Sequence, residues 1–245
     1  QYLHPFLERV LLRSADLITT VNEHHASIIR RRCRRWTRVA VVRDAAPLLD
    51  PEGLPPADLP GIRDRCPHRL VFVGQLMRRR LDELLATLEQ ITPTLRLQAL
   101  VVGDGPDRSH YEKRVAASSI LGERVLFLGY RQQREALAIA ATADIVFSDC
   151  WSPAGFPVKV FEYMALGLPI LAKRKGSVCE VLHDEEDALL YETPTDLAVS
   201  IDRLCKDPVL RSRLGRNARA SFLAAHTWDH RRAELDALIS EARSA

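Results

Sequence analysis

The chain has 245 residues, 47% of them hydrophobic, 6% aromatic and 27% charged, with 35 lysines and arginines against 32 acids. This composition points to a globular protein with a sizeable core, and no apolar run approaches the roughly 18 residues needed to cross a bilayer. The net charge of +3 is small, and the arginines come without interleaved aromatics, so no nucleic acid is expected as a partner.

From the N-terminus, Gln1-Tyr-Leu-His-Pro-Phe shows no basic stretch followed by an apolar stretch and a cleavage site, which leads to the expectation of a cytoplasmic protein. The pattern predicts an amphipathic helix over 6–13, a strand over 15–21, a helix over 22–35 and a strand over 38–42. Asn22 followed by Glu23 suits the start of that second helix: the amide oxygen caps free N–H groups and the acid meets the positive end of the helix dipole. Two strands and two helices cannot close a core, so residues 1–46 read as the tail end of a domain whose beginning is missing.

Residues 47–67 carry six prolines and two glycines, a density that forbids helix or central strand and marks an interdomain linker. Beyond it the pattern becomes regular. Strands are expected at 69–73, 95–102, 125–128, 144–147, 169–172 and 188–191, and helices at 81–91, 108–117, 132–141, 158–166, 194–205 and 209–225. The strands are almost continuously apolar, as strands covered on both faces of a parallel sheet should be. Residues 68–225 are therefore expected to form a doubly wound α/β domain with a parallel sheet, and 226–245 an appended C-terminal helix.

Cys33, Cys66, Cys150, Cys179 and Cys205 are odd in number and form no CxxC pair, so neither a disulfide framework nor a metal site is expected. Arg30, Arg31, Arg32, Arg34 and Arg35 cluster, as do Arg78, Arg79 and Arg80. The first cluster reads either as a solvated helix end, where cations complement the dipole, or as a contact with anionic lipid headgroups at the inner face of a membrane.

Open parallel sheets bind ligands outside the carboxyl ends of their strands. The turns that fall there are Gly74-Gln75, Gly103-Asp104-Gly105-Pro106, Gly129-Tyr130 and 148–157. Glycine lets the backbone bend and a ligand approach, and a following helix N-terminus suits phosphate; equally, glycines end strands in any α/β protein. Arg108 stands where a dinucleotide fingerprint needs its third glycine, so a hydride-transfer cofactor is not expected. In Pro157-Val-Lys159-Val-Phe-Glu162, Lys159 and Glu162 share one helix face. Glu162 can accept both hydroxyls of a ribose from that place, or form an ordinary surface pair with Lys159.

Several separated segments, in order, resemble one family: Glu8-Arg-Val-Leu-Leu-Arg-Ser-Ala-Asp-Leu-Ile-Thr-Thr-Val-Asn22, Val71-Phe-Val-Gly-Gln75, Leu100-Val-Val-Gly-Asp-Gly-Pro106, Val125-Leu-Phe-Leu-Gly-Tyr130, Glu162-Tyr-Met-Ala-x-Gly-x-Pro169, Gly176-x-x-x-Glu180 and Thr227-Trp228. Together they are similar to the GT-B glycosyltransferases of the glycogen-synthase-like group, often called family four, from about residue 6 onward. Pro-x-Lys-x-x-Glu and Val42-Arg-Asp-Ala-Ala-Pro47 also resemble the eukaryotic β-mannosyltransferase that extends dolichol-linked chitobiose, which makes GDP-mannose the leading donor expectation.

The resemblance implies a Rossmann-like donor domain that binds a nucleoside diphosphate sugar and needs no metal, and a saccharide or lipid-linked acceptor. It implies ribose binding by Glu162, and phosphate binding by Arg80 in a loop opened by Gly74 and Gln75. Amides around Gly155, Phe156 and Pro157 would face the diphosphate or sugar, with Gly103, Gly105, Tyr130 and Lys159 completing the site. Three departures stand out. Ala154 replaces a glutamate that grips the donor sugar, Gln75 an arginine, and Leu81 a glycine. Since the family's N-terminal domain binds the acceptor, these 245 residues are expected to bind nucleotide but to transfer sugar poorly alone, as a fragment or as one subunit of a two-chain transferase. The rival reading is a non-catalytic nucleotide-binding or partner-docking module.

Overall fold

The computed structural model describes residues 5–34, 36–59, 61–62, 66–77, 79–92, 94–149 and 156–244. The chain begins with α1 (Pro5–Ser14), β1 (Leu17–Thr20), α2 (Glu23–Arg30) and β2 (Arg38–Val41), the two strands pairing in parallel as a small sheet. Asn22 caps α2 as expected, its side chain accepting the His25 N–H at 2.9 Å. The helix stops earlier than the pattern predicts. Arg32 N–H donates to Ile29 O at 2.8 Å, an i→i−3 bond that tightens and ends the last turn, so that Arg30 closes the helix, Arg31 caps it and Arg32 and Arg34 lie beyond it.

Residues 47–59 are packed down rather than free: Leu49, Leu54, Ala57 and Leu59 lie against the core of the following domain, and Asp50 caps a short 3-10 turn at Pro51–Gly53. The larger unit contains β3 (His68–Val73), α3 (Asp82–Gln90), β4 (Leu97–Val102), α4 (Arg108–Ala116), α5 (Ser119–Arg124), β5 (Val125–Gly129), α6 (Gln133–Ala141), β6 (Ile145–Ser148), α7 (Lys159–Ala165), β7 (Ile170–Lys173), β8 (Ala188–Tyr191), α8 (Pro194–Lys206) and α9 (Pro208–Ala225). Its six strands are all parallel in the order β5-β4-β3-β6-β7-β8. The chain starts at the middle, winds outward to β5, then returns past β3 to β6 and winds the other way. The point of reversal lies between β3 and β6, where a doubly wound sheet opens a crevice at its carboxyl edge.

Alternate strand residues feed two cores. Val71 and Val73 join the side chains of α6, α7 and α9, while Leu70 and Phe72 join those of α3 and α8. Two elements were not foreseen. One is α5, six residues long and capped by the Ser118 hydroxyl on the Leu121 N–H, too short to show a period. The other is a 3-10 turn over Gly176–Glu180. Arg124, at the end of α5, is buried and donates to the carbonyls of Leu88, Ile91 and Thr92, satisfying the C-terminal end of α3.

The last helix, α10 (Trp228–Ser244), is not the loose appendage that its position suggests. Thr227 forms a parallel bridge with Ala46, and Glu241 pairs with Arg38 of β2, so α10 returns to the small N-terminal sheet. Among the described residues no helix is long and apolar enough to cross a membrane.

Candidate functional site

Three turns meet at the carboxyl edge and are bonded to one another through their backbones. Gly74 N–H donates to Val102 O at 3.0 Å, Leu76 N–H to Asp104 O at 2.9 Å and Gly103 N–H to Gly129 O at 2.8 Å. Gly103 has φ +139, and a Cβ there would lie 1.9 Å from Gly74 O; one on Gly105 would lie 2.3 Å from Leu76 O. These two glycines are demanded by the approach of one turn to the next. The Asp104 carboxylate closes its own turn on the Gly105 N–H at 2.7 Å.

Behind these turns lies a cleft of about 390 Å³, whose described lining includes Gly74, Gln75, Gly103, Asp104, Tyr130, Arg131, Gln133 and Lys159. Val73, Val102 and Ala136 give it an apolar floor. Tyr130 is 71% exposed at the mouth, so its ring is free to cover a planar ligand. Few polar groups over an apolar floor are the usual makeup of a small-molecule site.

Glu162 sits on the first turn of α7, only 5% exposed. It does not itself line the cleft; two residues that do so cover it. Gln133 gives its amide N–H to Glu162 Oε1, and Lys159 Nζ lies 2.9 Å from Oε2. The lysine sits off the hydrogen-bonding direction of that buried oxygen, so the contact is an ion pair without a formed hydrogen bond.

Arg80 faces a second hollow, of about 430 Å³, on the α3 side of the edge, with Arg79, Lys173, Lys175 and Tyr191. Its guanidinium holds Asp149 by two bonds, Nε–Oδ2 at 2.8 Å and Nη2–Oδ1 at 3.0 Å, while Nη1 donates to Gln75 O at 3.3 Å. Arg80 Nη1 would lie 3.6 Å from a Cβ on Gly74, so the two hollows adjoin at that loop. A third hollow, about 670 Å³ between α1 and α2, is lined by Glu8, Arg9, Leu12, Arg13, Arg31 and Arg32. It is away from the edge where the strand turns converge.

Of the residues singled out from the sequence, the structure brings Gly74, Gln75, Gly103, Tyr130 and Lys159 to one cleft, with Glu162 directly beneath. Gly105 packs against Leu76, and Arg80 turns to Asp149. Phe156 packs at a tilt on Phe161, centroids 4.7 Å apart, and Phe161 in turn on His226 at 5.1 Å, so the Phe156 ring lies against the core. Pro157 leads into α7, its carbonyl accepting the Val160 N–H at 2.8 Å; Gly155 and Ala154 lie outside the described residues. Sequence reasoning missed Asp104, Arg131 and above all Gln133. The signal was present: Arg131-Gln132-Gln133 directly follow the Gly129-Tyr130 turn.

Burial, with Arg231 at 3.2 Å, pushes the His226 imidazole down to about 4. Burial also raises the Cys205 thiol to about 12, consistent with a packing role.

A parallel sheet wound in both directions from β3, with a cleft outside the carboxyl ends of its strands, places the chain in the doubly wound class of α/β proteins. The chain belongs, more narrowly, to the family described as glycosyl transferases group 1, whose profile matches residues 67–207. It is 27% identical over 242 residues to the 2-deoxystreptamine glucosyltransferase of Streptomyces kanamyceticus, a match covering 91% of this chain and 61% of that one. In structure it is similar to the sucrose-phosphate synthase of Thermosynechococcus elongatus, with a TM-score of 0.77 at 24% identity over 98% of this chain and 61% of that one. It is also similar to HepE of Anabaena in complex with UDP-glucose, with a TM-score of 0.76 at 19% identity over 96% of this chain and 67% of that one. The fold is GT-B. The chain spans about three fifths of the length of the curated glucosyltransferase that it matches.

Proposed function

We propose that this chain is the donor-binding part of a glycosyltransferase that moves a hexose from a nucleoside diphosphate sugar to a hydroxyl of a saccharide or lipid-linked acceptor. The observation that carries it is the convergence of the Gly74, Gly103 and Tyr130 turns on one cleft with the Glu162 carboxylate beneath it. In this reading Glu162 accepts the ribose hydroxyls and Tyr130 covers the base. In the reaction the bond from the sugar's anomeric carbon to the diphosphate breaks as the acceptor oxygen bonds to that carbon. Charge then grows on the diphosphate. Lys159, and Arg80 once it leaves Asp149, neutralise it without a metal.

Residues 68–225 are the nucleotide-sugar domain in this proposal, 47–67 the linker, 1–46 part of an acceptor domain, and 226–245 a helix that ties the two. Transfer then requires an acceptor face beyond the donor cleft, supplied by the same polypeptide or by a partner subunit, and these 245 residues alone transfer slowly or not at all. For the donor we favour a uridine nucleotide over GDP-mannose, because the HepE neighbour is a UDP-glucose complex and the glucosyltransferase relative carries glucose in its name. Contact of the arginine cluster with an anionic membrane would serve a lipid-linked acceptor.

Calorimetric titration with UDP and GDP tests the reading. One of them binds, and Glu162→Ala weakens it by about 1.5–3 kcal/mol, the usual worth of a hydrogen-bonded charged group. If neither nucleotide binds, the proposal fails.

A further inference from the structure

We propose that Gln133 is a specificity-determining residue of the cleft: held in one amide orientation by Glu162, it offers its carbonyl oxygen to a hydrogen-bond donor on the bound nucleoside. The inference rests on the reading of the cleft as a nucleotide site.

A primary amide can face a neighbour with either its NH₂ or its oxygen. Here the neighbour decides. An ionised carboxylate only accepts, so Glu162 Oε1 fixes the NH₂ of Gln133 toward itself. Lys159 lies 2.9 Å from the other oxygen, Oε2, so the carboxylate is engaged on both sides and Gln133 meets it at Oε1. The Gln133 oxygen is then directed away from Glu162, and no donor among the described residues meets it. Gln133 opens α6 just beyond the turn that carries Tyr130 and Arg131, and lines the same cleft as both.

A lone acceptor in that place sorts ligands. Uracil and guanine carry a ring N–H on their pairing edge, where cytosine and adenine carry a lone pair that would oppose the amide oxygen. A ribose 2′-hydroxyl is the other donor within this chemistry, and 2′-deoxyribose lacks it. Neutral hydrogen bonds of this kind separate such ligands by about tenfold.

The test is calorimetric titration of UDP, GDP, CDP, ADP and 2′-deoxy-UDP against the wild-type chain, Gln133→Met, Glu162→Gln and Glu162→Ala. Gln133 is exposed at a helix start, so the methionine variant should fold, which circular dichroism checks. The expected result is a preference of about tenfold that Gln133→Met reduces to within about threefold. If the preference lost is UDP over CDP, the base supplies the donor; if it is UDP over 2′-deoxy-UDP, the ribose does. Glu162→Gln should shrink or invert that same preference, because a glutamine at 162 lets the Gln133 amide turn over. A change of packing alone would not move a ratio between ligands. Should both ratios stay at their wild-type values in Gln133→Met while Glu162→Ala weakens every nucleotide, the inference is overturned and the proposed function stands. Should no nucleotide bind the wild-type chain, both fall.

Discussion

Two parallel sheets in this chain meet opposite fates. The six strands from β3 to β8 are covered on both faces, and their turns are locked backbone to backbone. Among the described residues the pair β1–β2 packs against α2 and the returning α10, and the neighbouring α1 leaves Leu7, Val10 and Leu11 about half exposed. Its ion pairs, Arg30–Glu23, Arg32–Glu8 and Arg38–Glu241, join well-exposed side chains. Parallel strands are stable when buried on both sides, so the small sheet depends on its junction with the large one. That junction includes the Ala46–Thr227 bridge and the part-buried Arg43–Glu180 pair at 2.9 Å. All the turns that converge on the cleft belong to the well-covered sheet.

The sharpest way to break this contrast is Gly103→Ala. With φ +139 and Gly74 O at 1.9 Å, the new methyl group must push two turns apart. It should cost about 3–5 kcal/mol in urea unfolding, and should abolish nucleotide binding. Next comes Arg124→Met, which removes the guanidinium from the Leu88, Ile91 and Thr92 carbonyls, of which Thr92 O keeps the Leu95 N–H, for a loss of about 2–4 kcal/mol by the same method.

A third effect lies at the seam. His226 is held neutral, its folded value of about 4 lying below the ordinary 6.5. The unfolded chain therefore binds the extra proton first, so the stability that this ring contributes is complete above pH 6.5 and lost as pH falls toward 4. Allowing for the ring's partial exposure, urea midpoints at pH 7 and pH 4.5 should differ by about 1–2 kcal/mol from this group. His226→Phe should remove that part of the difference. Smallest is Arg38→Ala, which breaks an exposed pair and should cost less than about 1 kcal/mol. A large effect there would mean that α10 and β2 hold each other far more firmly than their exposure implies.

The sequence showed the alternation of strands and helices because period and apolar runs are local properties, and all six strands of the large sheet lie where that alternation puts them. Their spatial order was not legible, since the return past β3 depends on which strands pair. The site was half legible for the same reason. Glu162, Lys159 and the glycine turns stand out by spacing, but the contact of Gln133 with Glu162 spans 29 positions and two helices. At Gly105 the requirement for glycine has a physical cause that the sequence does not display, the approach of the Leu76 backbone. The small helix α5 hid because six residues are too few to show a face.

The central claim is that one nucleotide cleft forms over the carboxyl ends of β3, β4 and β5. Amide chemical-shift mapping during a titration with UDP tests it most directly. Shifts should concentrate at Gly74, Gln75, Gly103, Tyr130, Gln133 and the first turn of α7, with α1 and α2 silent. Shifts centred on the arginines between α1 and α2, or no saturable shifts at all, would contradict it.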